Sequence, residues 1–255
     1  MKYKLEKYAK DLRLYYHYGC RRLGLEKHSI HQILSRKHKL LYIPISKNAS
    51  TSLKHVLFEL EEGFAYKYFG KNKQVYRSLH DYFLKQPNAF TGVSDLLSDT
   101  SFTKFAVIRD PVKRLISCYR NRVVDLKDLE KSRLDGLPVR PDINYFILKL
   151  NKYQKANKII EHHSRAQHKF LGNTLQYLDH IFPMKQMQRL KDFIKKYQPD
   201  YKLLERKSKG TSYALNDLSA EALEKAIHFY QKDYDLLEDY YSADQIWDEY
   251  NQASI

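Results

Sequence analysis

The chain predicts an α/β fold, a parallel sheet flanked by helices, and three observations predict it. Short apolar runs alternate with segments of helical spacing, the order expected of strand–helix–strand units. Two of these runs, at residues 40–45 and 104–108, have no polar face, as strands buried on both sides of a parallel sheet do. Each run then breaks into a polar, basic turn and resumes as a helix. Such turns fall at the carboxyl ends of strands, where open α/β sheets bind ligands.

Residues 1–35 read as an N-terminal helical appendage and 36–255 as the main domain. Leu5, Tyr8, Leu12, Tyr15 and Tyr16 recur at helical spacing, so the appendage is expected to pack on the domain or on a partner. Glu6 and Asp11 dilute its charge and weigh against a membrane surface. After the basic stretch Arg36 to Lys39, Leu40 to Ile45 reads as the first strand, and Pro44 marks the end of its pairing. Ser46, Lys47, Asn48 and Ala49 form the turn. Ser50, Thr51 and Ser52 open a helix to about Glu62, with Leu53, Val56, Leu57 and Leu60 on one face; their hydroxyls suit the free N–H groups of a helix start.

Residues 74–78 read as a short strand and Lys104 to Ile108 as a buried one. Arg109 ends it, Asp110 is a good N-cap, Pro111 fits the first helical position, and the helix runs to about Asp125. Asp110 and Arg114 are spaced to pair across the first turn; Arg114, Arg120 and Arg122 can also form a solvated basic face. Ser117 lies one turn beyond Arg114. Residues 127–170 read as helices broken at Gly136 to Asp142, the loop expected to move most. Tyr177 to Pro183 reads as a further strand, followed by a helix from Lys185 to Tyr197, a polar loop at 207–218, and helices at 219–231 and 233–241.

At 255 residues and 43% hydrophobic content the chain can bury one substantial core. The 22 tyrosines are spread along it, which suits half-buried rings with wet hydroxyls. A net charge of +15 attracts polyanions. Charge alone supports a nucleic-acid-binding protein; no zinc finger, RRM signature or recognition helix accompanies it, so no nucleic-acid partner is expected. Cys20 and Cys118 make no disulfide framework. No CxxC or His/Cys cluster points to a metal, and the neighbours His162 and His163 would diverge on a helix. No long apolar run predicts a membrane span, and the N-terminus has no apolar core of a signal peptide.

Both basic turns lead from a strand into a helix N-terminus, where free N–H groups and the helix dipole favour an anion. Two of them suggest a ligand with phosphates at two ends. Arg109 offers a planar fork for one phosphate. A P-loop kinase is the competing nucleotide enzyme, but no glycine lies between Lys39 and Glu62 and no strand ends in a clear Mg²⁺-binding aspartate.

The segments PISKNASTS (Pro44 to Ser52) and RDPVKRLISCYR (Arg109 to Arg120) together resemble the 3′-phosphoadenosine 5′-phosphosulfate (PAPS)-dependent sulfotransferases, in particular the carbohydrate sulfotransferase family that includes chondroitin and HNK-1 enzymes. In that family the first segment reads roughly P-x-x-K-[NG]-[AG]-[ST]-[ST]-S and binds the 5′-phosphosulfate. The second reads R-D-P-x-x-R-x-x-S-x-Y-R and binds the 3′-phosphate; every fixed position is filled here. EHHSRAQ, Glu161 to Gln167, looks like the family's H-W-x-P-Q with Ser164 for Trp and Ala166 for Pro. ERKSKGTS, Glu205 to Ser212, resembles its late polar loop, and His228 to Tyr240 its terminal helix.

The resemblance implies a P-loop-like nucleotide-binding sulfotransferase fold and sulfuryl transfer from PAPS, without metal, to a hydroxyl acceptor. That acceptor is expected to be a glycan, including an anionic one. It implies that Lys47, Asn48, Ala49, Ser50, Thr51 and Ser52 bind the 5′ end, that Arg109 and Ser117 bind the 3′-phosphate, and that Lys209, Gly210 and Thr211 close over the nucleotide. Lys47 is the expected catalytic cation. His80, where relatives often carry a histidine, is the first choice of base, and His163 is the alternative base or an acceptor contact. Animal relatives are anchored in the Golgi, so the expectation here is a cytoplasmic bacterial enzyme, or a Golgi-lumenal one that has lost its anchor. The sequence sets no oligomeric state.

Overall fold

The structure is a computed structural model that describes residues 32–66, 79, 82–83, 99–200 and 213–253. The expected helix within 3–22, the expected strand at 74–78, His80, and Lys209, Gly210 and Thr211 lie outside the described residues.

Four strands form one sheet in the order β1 (Ile33–Ser35), β2 (Leu40–Ile43), β3 (Thr103–Ile108) and β4 (His180–Pro183). The three strands β2, β3 and β4 run parallel, as expected of the alternating pattern. β1 is an antiparallel edge, joined to β2 by the basic turn Arg36 to Lys39. The sheet therefore begins inside the segment read as an appendage. Three residues are too short to show a strand period, which is why β1 was not legible.

α1 (Ser50–Glu62) follows β2, and α2 (Pro111–Cys118) follows β3. α2 continues with π-helical winding over Tyr119–Asp125. A helical layer follows: α3 (Ile143–Leu148), α4 (Leu150–Ala156), α5 (Lys158–Ser164) and the short α6 (His168–Leu171). After β4 come α7 (Met187–Lys195), α8 (Ala220–Phe229), α9 (Gln231–Leu236) and α10 (Ala243–Ala253). α10 was not expected from the sequence. Its Ile246, Trp247 and Tyr250 pack on the core, and Glu249 pairs with Lys113 at the start of α2. No helix among the described residues is long and apolar enough to cross a membrane.

Alternation along the strands explains their continuous apolar character. Leu40, Tyr42, Phe105 and Val107 face one core, closed by Leu53, Val56 and Leu57 of α1 and by Leu190 and Phe193 of α7. Leu41, Ile43, Ala106 and Ile108 face the other, closed by Val112 and Leu115 of α2 and by Phe146 of α3. With helices on both faces, neither side of β2 or β3 can be polar. α1 ends at Gly63, whose φ of 79° is left-handed and whose N–H bonds Glu59 O at 2.8 Å; glycine meets that geometry without steric cost.

α2 begins as expected. Asp110 is its N-cap, accepting from the Lys113 N–H at 2.9 Å, and Pro111 follows. Asp110 also accepts from the Tyr234 hydroxyl at 3.1 Å. Asp110→Ala removes the cap and strands a buried hydroxyl, for an expected loss of about 2 kcal/mol. Urea unfolding reads this as a lower midpoint at unchanged slope. An unchanged midpoint would show that the cap carries no stability.

Candidate active site

The register pairs Ile43 of β2 with Ala106 of β3, so the turns that follow the two strands lie side by side. In the first turn Lys47 and Ala49 take left-handed φ values of 71° and 56°. Each costs a non-glycine residue on the order of 1 kcal/mol, and such strain gathers at ligand clamps. Ala49 is the N-cap of α1 and offers no side-chain cap, and Ser50, Thr51 and Ser52 stand inside the first turn rather than at the cap. The left-handed turn and the uncapped helix start together form a nest of N–H groups suited to an anion.

Three buried side chains tie this turn to the rest. Asn48 donates through Nδ2 to Val107 O at 2.9 Å and to Gln167 Oε1 at 2.7 Å. Gln167 also accepts from the Arg109 N–H at 3.2 Å and donates to Arg109 O at 2.7 Å. The Arg114 guanidinium, fully buried, donates to Ser46 O and His163 O, both at 3.2 Å, and to Arg165 O. Arg114 therefore makes neither the pair with Asp110 nor the solvated face that its spacing allowed. Burial decides the outcome: a guanidinium shielded from water goes where several carbonyls can meet its Nη donors, while its Nε has no partner among the described residues. The ring of Tyr230 lies 5.9 Å from its Cζ.

The segment Glu161 to Gln167 is thus stitched against both turns. Ser46 Oγ and His162 Nε2 are 2.9 Å apart. His163 is half-buried, and its Nδ1 has no partner among the described residues. Burial and the cations Arg122, His162, Lys47 and Arg114 push its imidazole down to about 3. It is neutral at physiological pH.

Among the described residues no carboxylate pairs with Lys47, Arg109 or Arg114. The Lys47 ammonium donates instead to the neutral Asn121 Oδ1 at 2.8 Å. Asn121 stands in the π-helical stretch after α2, winding that re-aims side chains and recurs at functional sites. Burial lowers Lys47 to about 8; Cys118 and Asp125 oppose the shift, while Arg109 and Arg122 add to it. Burial likewise lowers Arg109. Cations partly shielded from water with no carboxylate in ion-pair contact among the described residues are the electrostatic counterpart of an anion site.

The model of the Sulfotransferase family matches residues 31–242. That span takes in both basic turns and the segment between them and α9. The chain belongs to the sulfotransferase family. No curated protein and no solved structure matches it at a significant level.

Of the expected site residues, the sulfotransferase fold brings together Lys47, Asn48, Ala49, Ser50, Thr51, Ser52, Arg109 and His163 around the two turns. Ser117 lies half-buried on α2, and its hydroxyl has no partner among the described residues. Sequence reasoning missed Asn121, which sits one residue past the second motif, and gave Gln167 no role although it closes a quoted motif. Asp233 was also missed; it is fully buried and accepts from the Gln167 N–H at 2.6 Å.

The lowered Lys47 value predicts a proton linkage. Above pH 8 the free protein sheds the lysine proton, whereas a bound phosphate favours the charged form. Phosphate-ligand binding at about pH 9 should therefore take up a proton. Calorimetry in buffers of different ionisation enthalpy reads the uptake, and Lys47→Met should abolish it. Identical heats in all buffers would place Lys47 outside the anion site.

Proposed function

We propose that this sulfotransferase moves a sulfuryl group from PAPS to a hydroxyl of a carbohydrate, releasing 3′-phosphoadenosine 5′-phosphate (PAP). The observation that carries this reading is the pair of basic turns on adjacent parallel strands, each with a partly buried cation that pairs with no carboxylate among the described residues. A nucleotide with phosphates at its 3′ and 5′ ends fits two such turns. PAPS supplies a sulfuryl group activated on a phosphate that can leave as the acceptor oxygen attacks.

The protein's share is binding, charge and proton handling. Residues 48–52 offer N–H groups and hydroxyls to the 5′ end. Lys47 supplies positive charge to the departing phosphate. Arg109 and Ser117 hold the 3′-phosphate, and the free hydroxyl of Ser117 supports that role. Lys209, Gly210 and Thr211 close over the nucleotide. His80 takes the acceptor proton and His163 contacts the acceptor. The low basicity of His163 supports this order, because a base so far below neutrality accepts a proton weakly. The net charge of +15 favours an anionic glycan.

Lys47→Ala tests the reading. It should lower transfer of labelled sulfate from PAPS by ~100-fold or more while the thermal midpoint holds. Near-normal turnover would remove Lys47 from the mechanism.

The two histidines separate in a second assay, at saturating PAPS. His80→Ala should cut turnover by ~100-fold with PAP affinity unchanged, and His163→Ala should mainly raise the acceptor KM. An inactive His163→Ala beside an active His80→Ala would reverse the assignment.

A further inference from the structure

Three nested interactions converge on the join between the two basic turns. Gln167, with no exposed surface, uses both ends of its side-chain amide there. Its Oε1 and Nε2 pair with the N–H and C=O of Arg109, as the backbone of a neighbouring strand would, at 3.2 and 2.7 Å. Arg109 lies one residue past the end of β3, where the Ile108–Pro183 pairing with β4 stops. The amide thus extends the pairing by one residue, using a side chain. The same Oε1 accepts from Asn48 in the other turn. Asn48 is itself locked to Val107 O.

Gln167 is in turn fixed from behind. Asp233 of α9, fully buried, accepts from the Gln167 N–H at 2.6 Å, and from the His168 N–H and Nδ1, both at 2.8 Å. A buried carboxylate with three donors is held in one orientation and holds its donors likewise. Asp233 and Gln167 have no surface from which to touch a ligand.

We propose that Gln167 is a positioning residue that sets the spacing between the two anion-binding turns, with Asp233 as its anchor, so that the enzyme reads the separation of a nucleotide's two phosphates as one unit. The proposal rests on the two-phosphate reading above. With the spacing fixed, a ligand seated in the first turn presents its other end to the second. A two-ended nucleotide gains from both, whereas a nucleotide with one phosphate gains little from the link.

A buried glutamine that merely satisfies polar groups predicts something different: its loss weakens every ligand alike. The test measures dissociation constants for PAP, adenosine 5′-phosphate and adenosine 3′-phosphate on the full chain and on Gln167→Met, which keeps side-chain length but loses the amide. The expected result is PAP weakened by about tenfold or more, with each monophosphate within about threefold of wild type. Asp233→Asn, which leaves the Gln167 amide in place, should show the same pattern to a smaller degree, and it serves as the readout if Gln167→Met does not fold. Equal weakening of all three ligands, or none, overturns the proposal. Wild-type protein that binds PAP no more tightly than the monophosphates would instead overturn the two-phosphate reading, and this inference with it.

Discussion

A buried guanidinium that pairs with no carboxylate among the described residues holds the site together. Arg114 has no exposed surface and donates to carbonyls of Ser46, His163 and Arg165. Removing such a charge from water costs several kcal/mol even after relaxation. Three carbonyls offset much of that cost and leave the positive charge unneutralised. Because Ser46 begins the first turn and Arg114 belongs to the helix after the second, one side chain fixes the first turn, α2 and the 163–167 segment relative to one another. Its charge then joins burial, Arg122, His162 and Lys47 in lowering the His163 imidazole. Substituting a well-packed apolar side chain could stabilise the fold, but it would remove the stitch.

The same economy runs through the first turn. Two left-handed non-glycine residues and a helix start without a side-chain cap are local losses. A sequence selected for stability alone would place glycine and a capping serine there. The strain is tolerated because Asn48, buried and bonded on the far side to Val107 and Gln167, determines the path of the turn. The N–H groups are therefore in place before any ligand arrives, and the cost of ordering them falls on folding rather than on binding.

The elements legible in the sequence were those whose signals are local. β2 and β3 announced themselves as apolar runs because helices cover both faces, and Asp110–Pro111 marked the start of α2 because cap and first turn lie within a few residues. β1 and α10 were not read: one is three residues long, and the other was passed over although Ser242 caps it, accepting from the Gln245 N–H at 3.1 Å. At the site, Lys47 and Arg109 could be named from their place between strand and helix. Arg114 was misread because i,i+4 spacing states what a side chain can reach, not whether it is buried. Gln167, Asn121 and Asp233 act across 58 to 119 residues of sequence, from the Gln167–Arg109 pair at the near end to Gln167–Asn48 at the far end. Pairing at such distance leaves no periodic trace; only the fold reveals it.

The central claim is that two turns form one site for a nucleotide with phosphates at both ends. The crystal structure of the protein with PAP tests it most directly. The account predicts the 5′-phosphate against Lys47 and the first turn of α1, and the 3′-phosphate on Arg109 and Ser117. A nucleotide bound elsewhere, or one whose 3′-phosphate touches neither Arg109 nor Ser117, would contradict it.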